Sequence, residues 1–186
     1  MKARLAMCVV AVGAGLALPA WADVTVKSQD GTLELTLPNG WHQMTPKGAE
    51  VKLIASDGHG TRLLVRVYAK EDYKDLKSLA TIAAGRFKLD DAKPDSQDIQ
   101  VNGQPGVRVN LTGTEPNGER VGLVVTVFEA GGSYIDVTGK APASAIAKQQ
   151  PVIAQLATQL KVTPAGAAPP PAAPAPAPGK TPPDKR

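Results

Sequence analysis

The sequence predicts an α+β fold in which an antiparallel β-sheet meander is covered by helices. Apolar and polar residues alternate with a period of two in residues 33–37 (LELTL) and 107–112 (VRVNLT), a pattern typical of strands with one buried face. Residues 120–128 (RVGLVVTVF) are apolar on both faces, and residues 63–68 (LLVRVY) are so in part, which indicates central strands covered on both sides. Turn-forming pairs separate these runs, as hairpins require: Asp30-Gly31, Asp57-Gly58, Asn102-Gly103, Asn117-Gly118 and Gly131-Gly132.

Two segments have the residue spacing of helices that could cover such a sheet. In residues 72–88, Asp72 is the predicted N-cap, and apolar residues recur at steps of three and four: Tyr73, Leu76, Leu79, Ala80, Ala83 and Phe87. A second helical region is predicted after Ala141, with Pro142 at its first helical position and a restart at Pro151. The buried stripe of this region is Val152, Ile153, Leu156 and Leu160.

Residues 1–22 have the parts of a cleavable secretory signal peptide. Basic residues precede an apolar run over residues 5–18, and Ala20-Trp21-Ala22 fits a small-x-small cleavage pattern. Cys8 lies in the front half of the apolar run, outside a lipid-attachment motif, so we expect no lipid anchor. Cleavage removes the only cysteine, and the mature chain, which begins near Asp23, therefore forms no disulfide and has no thiol nucleophile.

Residues 163–186 predict a disordered Pro/Ala-rich tail with a basic tip. The segment has no apolar periodicity and few backbone donors, so we expect it to sample the polyproline II conformation. A solvated spacer is the simpler interpretation of this composition. The alternative is a tether or a ligand for an aromatic groove in another envelope protein, with Lys180, Lys185 and Arg186 adding charge attraction.

Residues 23–162, between these ends, predict a single domain with one hydrophobic core. The whole chain has a formal charge of +4. Lys2, Arg4 and the basic tip of the tail account for this excess, so the domain itself is close to neutral. The charge distribution therefore argues against a nucleic-acid partner, and we expect no transmembrane segment in the mature chain.

Four segments, taken in order, resemble a known family: LELTLPNGWHQM (33–44), the helix DYKDLKSLATIAAGRF (72–87), the hairpin DIQVNGQPGVRVNLTGT (98–114) and VGLVVTVFEAGGSYIDVTGKAP (121–142). The sequence resembles the PsbP-like fold group and, within it, the exported bacterial DcrB-like branch. This resemblance implies an α/β/α sandwich and a small accessory or assembly factor that binds other proteins rather than an enzyme. The Pro/Ala-rich tail is not part of the family pattern.

The residues Pro38-Asn39-Gly40 turn the chain directly before Trp41 and His42. In a structural interpretation, this turn lets the Trp41 indole pack over the sheet as part of the core. In a functional interpretation, Trp41 and His42 lie at a rim where they bind a partner or a small ligand. The structural interpretation is favoured, and the resemblance supports it because Leu-Pro-x-Gly-Trp recurs in that family as a fold element.

The sequence predicts no catalytic residue, metal site or cofactor. Ser56, Asp57 and His59 are neighbours in one turn, where a nucleophile and its base seldom face one another. His42, His59 and Asp57 share no ligand spacing, and a zinc site normally needs several protein ligands. The glycine-rich turns lack the spacing and the Lys-Ser/Thr pair of a phosphate loop.

We therefore expect an exported, non-enzymatic accessory or assembly factor in the periplasm, with secretion beyond the envelope left open. Its expected partner is another envelope protein, bound through the sheet edge or the Trp41 corner, with the tail as a spacer. The alternative is a small-ligand carrier with a cleft between helices and sheet, in which Trp41 and Tyr134 are the expected walls. The sequence does not identify the partner or the oligomeric state.

Overall fold

The computed structural model describes residues 24–163. The predicted signal peptide (1–22) and the predicted tail beyond Thr163 lie outside the described residues. The strands are β1 (Val24–Lys27), β2 (Leu33–Leu37), β3 (His42–Met44), β4 (Val51–Ser56), β5 (Arg62–Ala69), β6 (Asp95–Val101), β7 (Gln104–Thr114), β8 (Arg120–Ala130), β9 (Ser133–Pro142) and β10 (Lys161–Val162). The helices are α1 (Leu76–Gly85) and α2 (Ile146–Gln159).

The main sheet has seven strands in the order β3-β4-β5-β9-β8-β7-β6, and every neighbouring pair is antiparallel. It consists of two meanders, β3-β4-β5 and β6-β7-β8-β9, which are joined by the pairing of β5 with β9. The chain passes from β5 to the far edge at β6 through α1. The predicted antiparallel α+β fold is confirmed, and the predicted turns connect neighbouring strands.

Each face of the main sheet is covered by one helix. Helix α1 packs mainly on β7 and β8, where Leu79, Ala80 and Ala83 meet the strand residues Val107, Val109, Leu123, Val125 and Val127. Helix α2 packs on the other face, against β8 and β9. The central strand β8 is thus buried on both sides, because successive side chains of a strand point to opposite faces.

A second, three-stranded sheet in the order β1-β2-β10 lies on the same side as α2. Leu33, Leu35 and Leu37 of β2 are fully or almost fully buried against this side of the core. The sequence pattern predicted the alternation in β2 but not its place in a separate sheet. Within residues 24–163, β2 pairs with β1 and with β10.

Two glycines let α2 lie close to the sheet. A Cβ atom on Gly139 of β9 would be 2.5 Å from Cδ1 of Ile153, and a Cβ on Gly122 of β8 would be 2.4 Å from Cγ1 of Ile146. Side-chain atoms do not approach one another this closely, so each isoleucine occupies space that only a glycine leaves open. Ile153 is fully buried as a result.

The first helix is shorter than predicted and has a different N-cap. Lys70–Asp72 form a 3-10 turn, and α1 begins only at Leu76. Asp75 is the N-cap, because its Oδ1 accepts from the backbone N–H of Ser78 at 2.7 Å, and the Ser78 hydroxyl accepts from the backbone N–H of Asp75 at 3.2 Å. The prediction of Asp72 as N-cap was wrong.

The second helical region also differs from the prediction. Pro142 is the last residue of β9 rather than the first of a helix, and α2 runs without a break through Pro151. Of the predicted buried stripe, Ile153, Leu156 and Leu160 are buried, whereas Val152 is only partly buried. No helix in residues 24–163 is long and apolar enough to cross a membrane.

Candidate functional site

The residues around Trp41 form a turn that places the indole in the protein core. Gly40 has a φ of 84°, a left-handed conformation that favours glycine, and the backbone N–H of Trp41 donates to the carbonyl of Pro38 at 3.0 Å. The exposed fraction of Trp41 is 8%, and the residue belongs to the core cluster beneath α2. Trp41 is therefore a core residue, as the structural interpretation of the corner expects.

Strand β3 begins directly after Trp41 and forms one edge of the main sheet. His42, Gln43 and Met44 are all exposed, and β4 is the strand that pairs with them in the described part of the chain. The side-chain amide of Gln43 donates to the carbonyl of Lys27 at 2.9 Å, which ties this edge to the end of β1. The Trp41 turn is thus followed by a short strand edge that contains no Asp, Glu, Lys or Arg.

His42 also lies beside the turn that contains His59. Its Cε1 atom is 3.9 Å from the position that a Cβ would take on Gly58. Asp57 closes this turn, because its Oδ1 accepts from the backbone N–H of His59 at 2.8 Å and of Thr61 at 2.9 Å. Burial acts to raise the pKa of Asp57, but the hydrogen bonds from Thr61 and His59 outweigh it and hold the pKa below its usual value. In the described part of the chain, no three His, Cys, Asp or Glu side chains could hold a metal ion together.

Tyr134 lies on the opposite face of the sheet from Trp41. It is the second residue of β9, pairs with Tyr68 of β5 and packs against the cluster beneath α1, whereas Trp41 packs in the cluster beneath α2. The ammonium group of Lys70 lies 5.7 Å from the centre of the Tyr134 ring and donates to Glu129 at 2.6 Å. The structure therefore keeps Trp41 beside His42 but does not bring Tyr134 to them.

A buried ion pair that the sequence analysis did not identify joins β5 and β9. Asp136 is fully buried, and its Oδ2 accepts from Nη1 of Arg66 at 3.2 Å, while its Oδ1 accepts from the Thr138 hydroxyl at 2.6 Å. Burial raises the pKa of Asp136, and the hydrogen bond from Thr138 and the charge of Arg66 partly offset that rise. The sequence pattern that could have indicated this pair is a single charged residue in each of two apolar runs: Arg66 in LLVRVY and Asp136 in YIDV. The Arg66 side chain is only 11% exposed, so the pair is a link between strands rather than an open binding site.

Arg86 extends this polar layer to the end of α1. Its guanidinium donates to the Tyr68 hydroxyl, lies 5.1 Å from the centre of the Tyr68 ring, and approaches Glu50 at 3.7 Å. Burial raises the pKa of Tyr68, which therefore stays protonated at neutral pH. These contacts fix the end of α1 toward β5, on the side of the helix away from β6.

On the β6 side of α1, a cleft of about 370 Å³ opens between the helix and the outer strands. Gly85, at the end of α1, lines it without a side chain, and its apolar walls are Ala84, Leu89, Ala92, Pro94, Val109 and Leu111. Small-molecule sites in proteins typically measure about 300–1,000 Å³ and are lined mainly by apolar groups. The cleft therefore has the size and the lining of a small-molecule site.

Few polar side chains line this cleft. The hydroxyl of Thr81 is already used, since it donates to the carbonyl of Lys77 at 2.9 Å, which leaves the Ser96 hydroxyl and the Lys88 ammonium group. Lys77 lies one helical turn before Thr81 on α1, and Asp98 lies two residues after Ser96 on β6. The two side chains form an ion pair at 3.1 Å. This pair connects α1 to β6 beyond one end of the cleft. Neither Trp41 nor Tyr134 is among its lining residues.

Solved structures match this arrangement of strands and helices. CyanoP, the cyanobacterial PsbP of Synechocystis, matches over 86% of this chain and 99% of its own, with a TM-score of 0.56 and 18% sequence identity. The chain has a PsbP-like fold. LpqN of Mycobacterium tuberculosis, which is involved in cell envelope biogenesis, matches over 76% of this chain and 91% of its own, with a TM-score of 0.54 and 12% identity. A protein of Bacteroides thetaiotaomicron matches over 76% of this chain and 49% of its own, with a TM-score of 0.54 and 9% identity.

No family model matches the chain, and no curated protein matches it. The PsbP-like fold is the fold that the sequence predicted, so this prediction is confirmed. At the sequence identities above, the comparisons establish a fold and not an activity, because one fold supports many functions. The DcrB-like branch stays a prediction.

Proposed function

We propose that the chain is an exported, non-enzymatic accessory factor of the cell envelope, of the DcrB-like branch, that acts in the periplasm by binding another protein. The docking surface is the β3 edge, His42–Met44, beside the Trp41 corner. The observation that carries this proposal is an edge strand of three exposed residues that follows a buried tryptophan, because a rigid sheet edge can accept a strand from a partner. The signal-like residues 1–22 and the envelope role of LpqN support the location.

The two edges of the main sheet differ in a way that favours β3 as the docking edge. Strand β6, at the other edge, exposes the carboxylates of Asp95 and Asp98, and exposed charge discourages strand pairing at sheet edges. Strand β3 carries no charged residue and exposes 36% of Met44, a flexible apolar side chain. A partner strand therefore meets less electrostatic and desolvation resistance at β3. The predicted tail acts as a spacer that keeps the domain near its partner.

Photo-crosslinking in the native host tests this proposal. A photoreactive residue at His42 is expected to capture one discrete protein, while the same residue at Gln97 on the β6 edge captures none. A third probe at Lys180 reports whether the tail contacts that protein. If the probe at Gln97 captures the same protein as the probe at His42, the β3 edge is not the docking surface.

A charge placed on the edge gives an independent test. Met44→Lys is expected to weaken the crosslink from His42, because lysine on an edge strand opposes further pairing. Gln100→Lys on β6 is the matched control, with the same added charge at the other edge. Both positions are exposed, so each change is expected to alter the unfolding free energy by less than about 0.5 kcal/mol. An undiminished crosslink in Met44→Lys contradicts docking through β3.

A second candidate function, a small-ligand carrier, is favoured by the apolar cleft between α1 and β6. Its volume of about 370 Å³ suits one small molecule, and its lining differs from the walls that the sequence analysis expected. The full-length protein, purified from its host and then denatured, is expected to release a stoichiometric small molecule that mass spectrometry detects. Repeated preparations without such a molecule would count against the carrier function.

A further inference from the structure

We propose that the cleft between α1 and β6 binds a single-chain amphipathic anion, a saturated hydrocarbon chain with a terminal carboxylate, and that Lys88 holds the carboxylate. This inference rests on the carrier function, the second candidate above, and names its ligand class.

The volume of the cleft suits one hydrocarbon chain. Along α1 its lining extends from Thr81 to Gly85, roughly 6 Å at the helical rise of about 1.5 Å per residue, and it continues to Lys88. A volume of about 370 Å³ holds roughly a dozen water-sized groups at about 30 Å³ each. A chain of about ten to twelve carbon atoms fits this volume, whereas a membrane lipid with two long chains exceeds it.

Lys88 supplies positive charge where this span ends. It follows the last turn of α1 and lines the cleft, and it makes no ion pair within the described part of the chain. The C-terminal end of a helix favours a cation, which suits a lysine at this position. A carboxylate at this end of the cleft meets an unpaired positive charge, while the hydrocarbon chain lies against Val109 and Leu111.

The backbone of Lys88 supports a specific role for this residue. Its φ of 47° lies in the left-handed region, which glycine usually occupies at the end of a helix. The other non-glycine residues with positive φ in the described part of the chain are Asp91 and Asn102, and both residue types tolerate this conformation well. Among these three residues, Lys88 is the one whose type rarely adopts a positive φ. Such a backbone conformation persists where the surrounding structure holds it in place.

Another cavity of similar volume does not offer the same chemistry. It measures about 380 Å³ and lies at the N-terminal end of α2, but charged and amide side chains make up much of its lining: Asp91, Lys93, Asn110, Arg120 and Gln150. Burying a hydrocarbon chain there would remove water from these groups without replacing their hydrogen bonds. The cleft beside α1 is the better site for a chain with a single polar end.

Calorimetric titration of the mature protein, residues 23–186, with three decyl compounds tests the inference. Decanoate is expected to bind more tightly than decanol, and decyltrimethylammonium more weakly than either. Lys88→Glu is expected to reverse the order of the two charged compounds and to leave decanol unchanged. Lys148→Glu, an exposed position on α2, changes the net charge equally and is expected to keep the wild-type order. An exposed ion pair contributes about 0.2–1 kcal/mol, so each change of preference should be about 1.4- to fivefold.

Filling the cleft locates the bound chain. A Cβ on Gly85 would meet no atom within 4 Å, and its φ is not positive, so Gly85→Leu is expected to fold normally and to lower decanoate affinity at least tenfold. Gly85→Ala adds only a methyl group and is expected to keep most of the affinity. Circular dichroism checks that both variants are folded.

The possible outcomes separate the ligand class from the carrier function. If no decyl compound binds, the inference fails, and the release of a small molecule on denaturation then decides the carrier function separately. If all three bind equally, or if Lys88→Glu leaves their order unchanged, the carrier function stands and the carboxylate inference fails. If decanoate binds Gly85→Leu as well as wild type, the chain does not lie in this cleft and the inference is overturned.

Discussion

Adding one methyl group at Gly139 is expected to destabilise the domain, although Gly→Ala is otherwise a mild change. The new Cβ would lie 2.5 Å from Cδ1 and Cγ2 of Ile153 and 2.6 Å from its Cγ1. Ile153 is fully buried beneath α2, so it cannot turn into solvent, and the helix or the strand must shift. Overpacking of this kind costs about 1–3 kcal/mol. The lower entropy of the unfolded chain returns about 0.4–1 kcal/mol, which leaves a net loss of about 1–2 kcal/mol.

Urea unfolding of the mature protein measures this loss directly. The chain has two tryptophans, and Trp21 lies in the predicted signal peptide, so Trp41 fluorescence reports the transition without interference. Gly85→Ala is the matched control, because its methyl group enters open space and is expected to raise stability by about 0.5–1 kcal/mol. The same Gly→Ala change is thus expected to lower the free energy of unfolding at Gly139 and to raise it at Gly85.

A double-mutant cycle identifies the steric contact as the cause. Ile153→Ala alone is expected to cost about 2–5 kcal/mol through the cavity that it leaves. In the double variant with Gly139→Ala, the new methyl group no longer meets the isoleucine, so the combined loss should be smaller than the sum by at least about 1 kcal/mol. If Gly139→Ala leaves stability unchanged, or if the two losses simply add, the close contact does not determine the packing of α2.

Three further predictions concern single side chains. Trp41→Ala is expected to lower the unfolding free energy by about 3–5 kcal/mol, measured by circular dichroism in urea; unchanged stability with lost partner capture would make the corner a binding site instead. Asp136→Asn is expected to cost about 3–5 kcal/mol, because it leaves Arg66 buried without its counter-ion, whereas Arg66→Met with Asp136→Leu should be nearly neutral; equal losses would argue against a buried-charge penalty. Hydrogen bonds from Ser28 and Thr32 hold the pKa of Asp30 well below its usual 3.8, so its stabilising contribution is present above about pH 4 and is lost as the pH falls further. The stability difference between wild type and Asp30→Asn should therefore shrink between about pH 6 and about pH 3, and a constant difference would contradict this assignment.

Local sequence patterns predicted the strands and the turns well. The alternation in residues 33–37 and 107–112 and the apolar run in residues 120–128 lie in β2, β7 and β8, because a strand buried on one face or on both has a period that the sequence displays directly. The start of α1 was harder to place. Asp72 and Asp75 are both good N-caps, and only the capping box with Ser78 selects the second.

Long-range features could not be inferred in the same way. The place of β2 in a separate sheet depends on β10, whose two residues carry no recognisable strand pattern. The separation of Trp41 and Tyr134 onto opposite faces depends on the register between β9 and β5. The cleft beside α1 was also missed at the level of residues, since it depends on where the helix lies across the sheet. The sequence predicted a cleft between helix and sheet with Trp41 and Tyr134 as its walls, and neither residue lines this cleft.

The pairing of β5 with β9 has a consequence for the order in which the domain assembles. The contact between Arg66 and Asp136 closes a loop of 70 residues, whereas the other strand pairs of the main sheet are hairpins between consecutive strands. Long loops close slowly, so we expect the two meanders to form first and their joining to limit the folding rate. When the chain appears N-terminus first, β5 is present before β9. One side of β5 then has no partner strand until β9 has followed. Alternating Leu63, Val65 and Val67 make this transient edge the segment most exposed to mispairing before folding is complete.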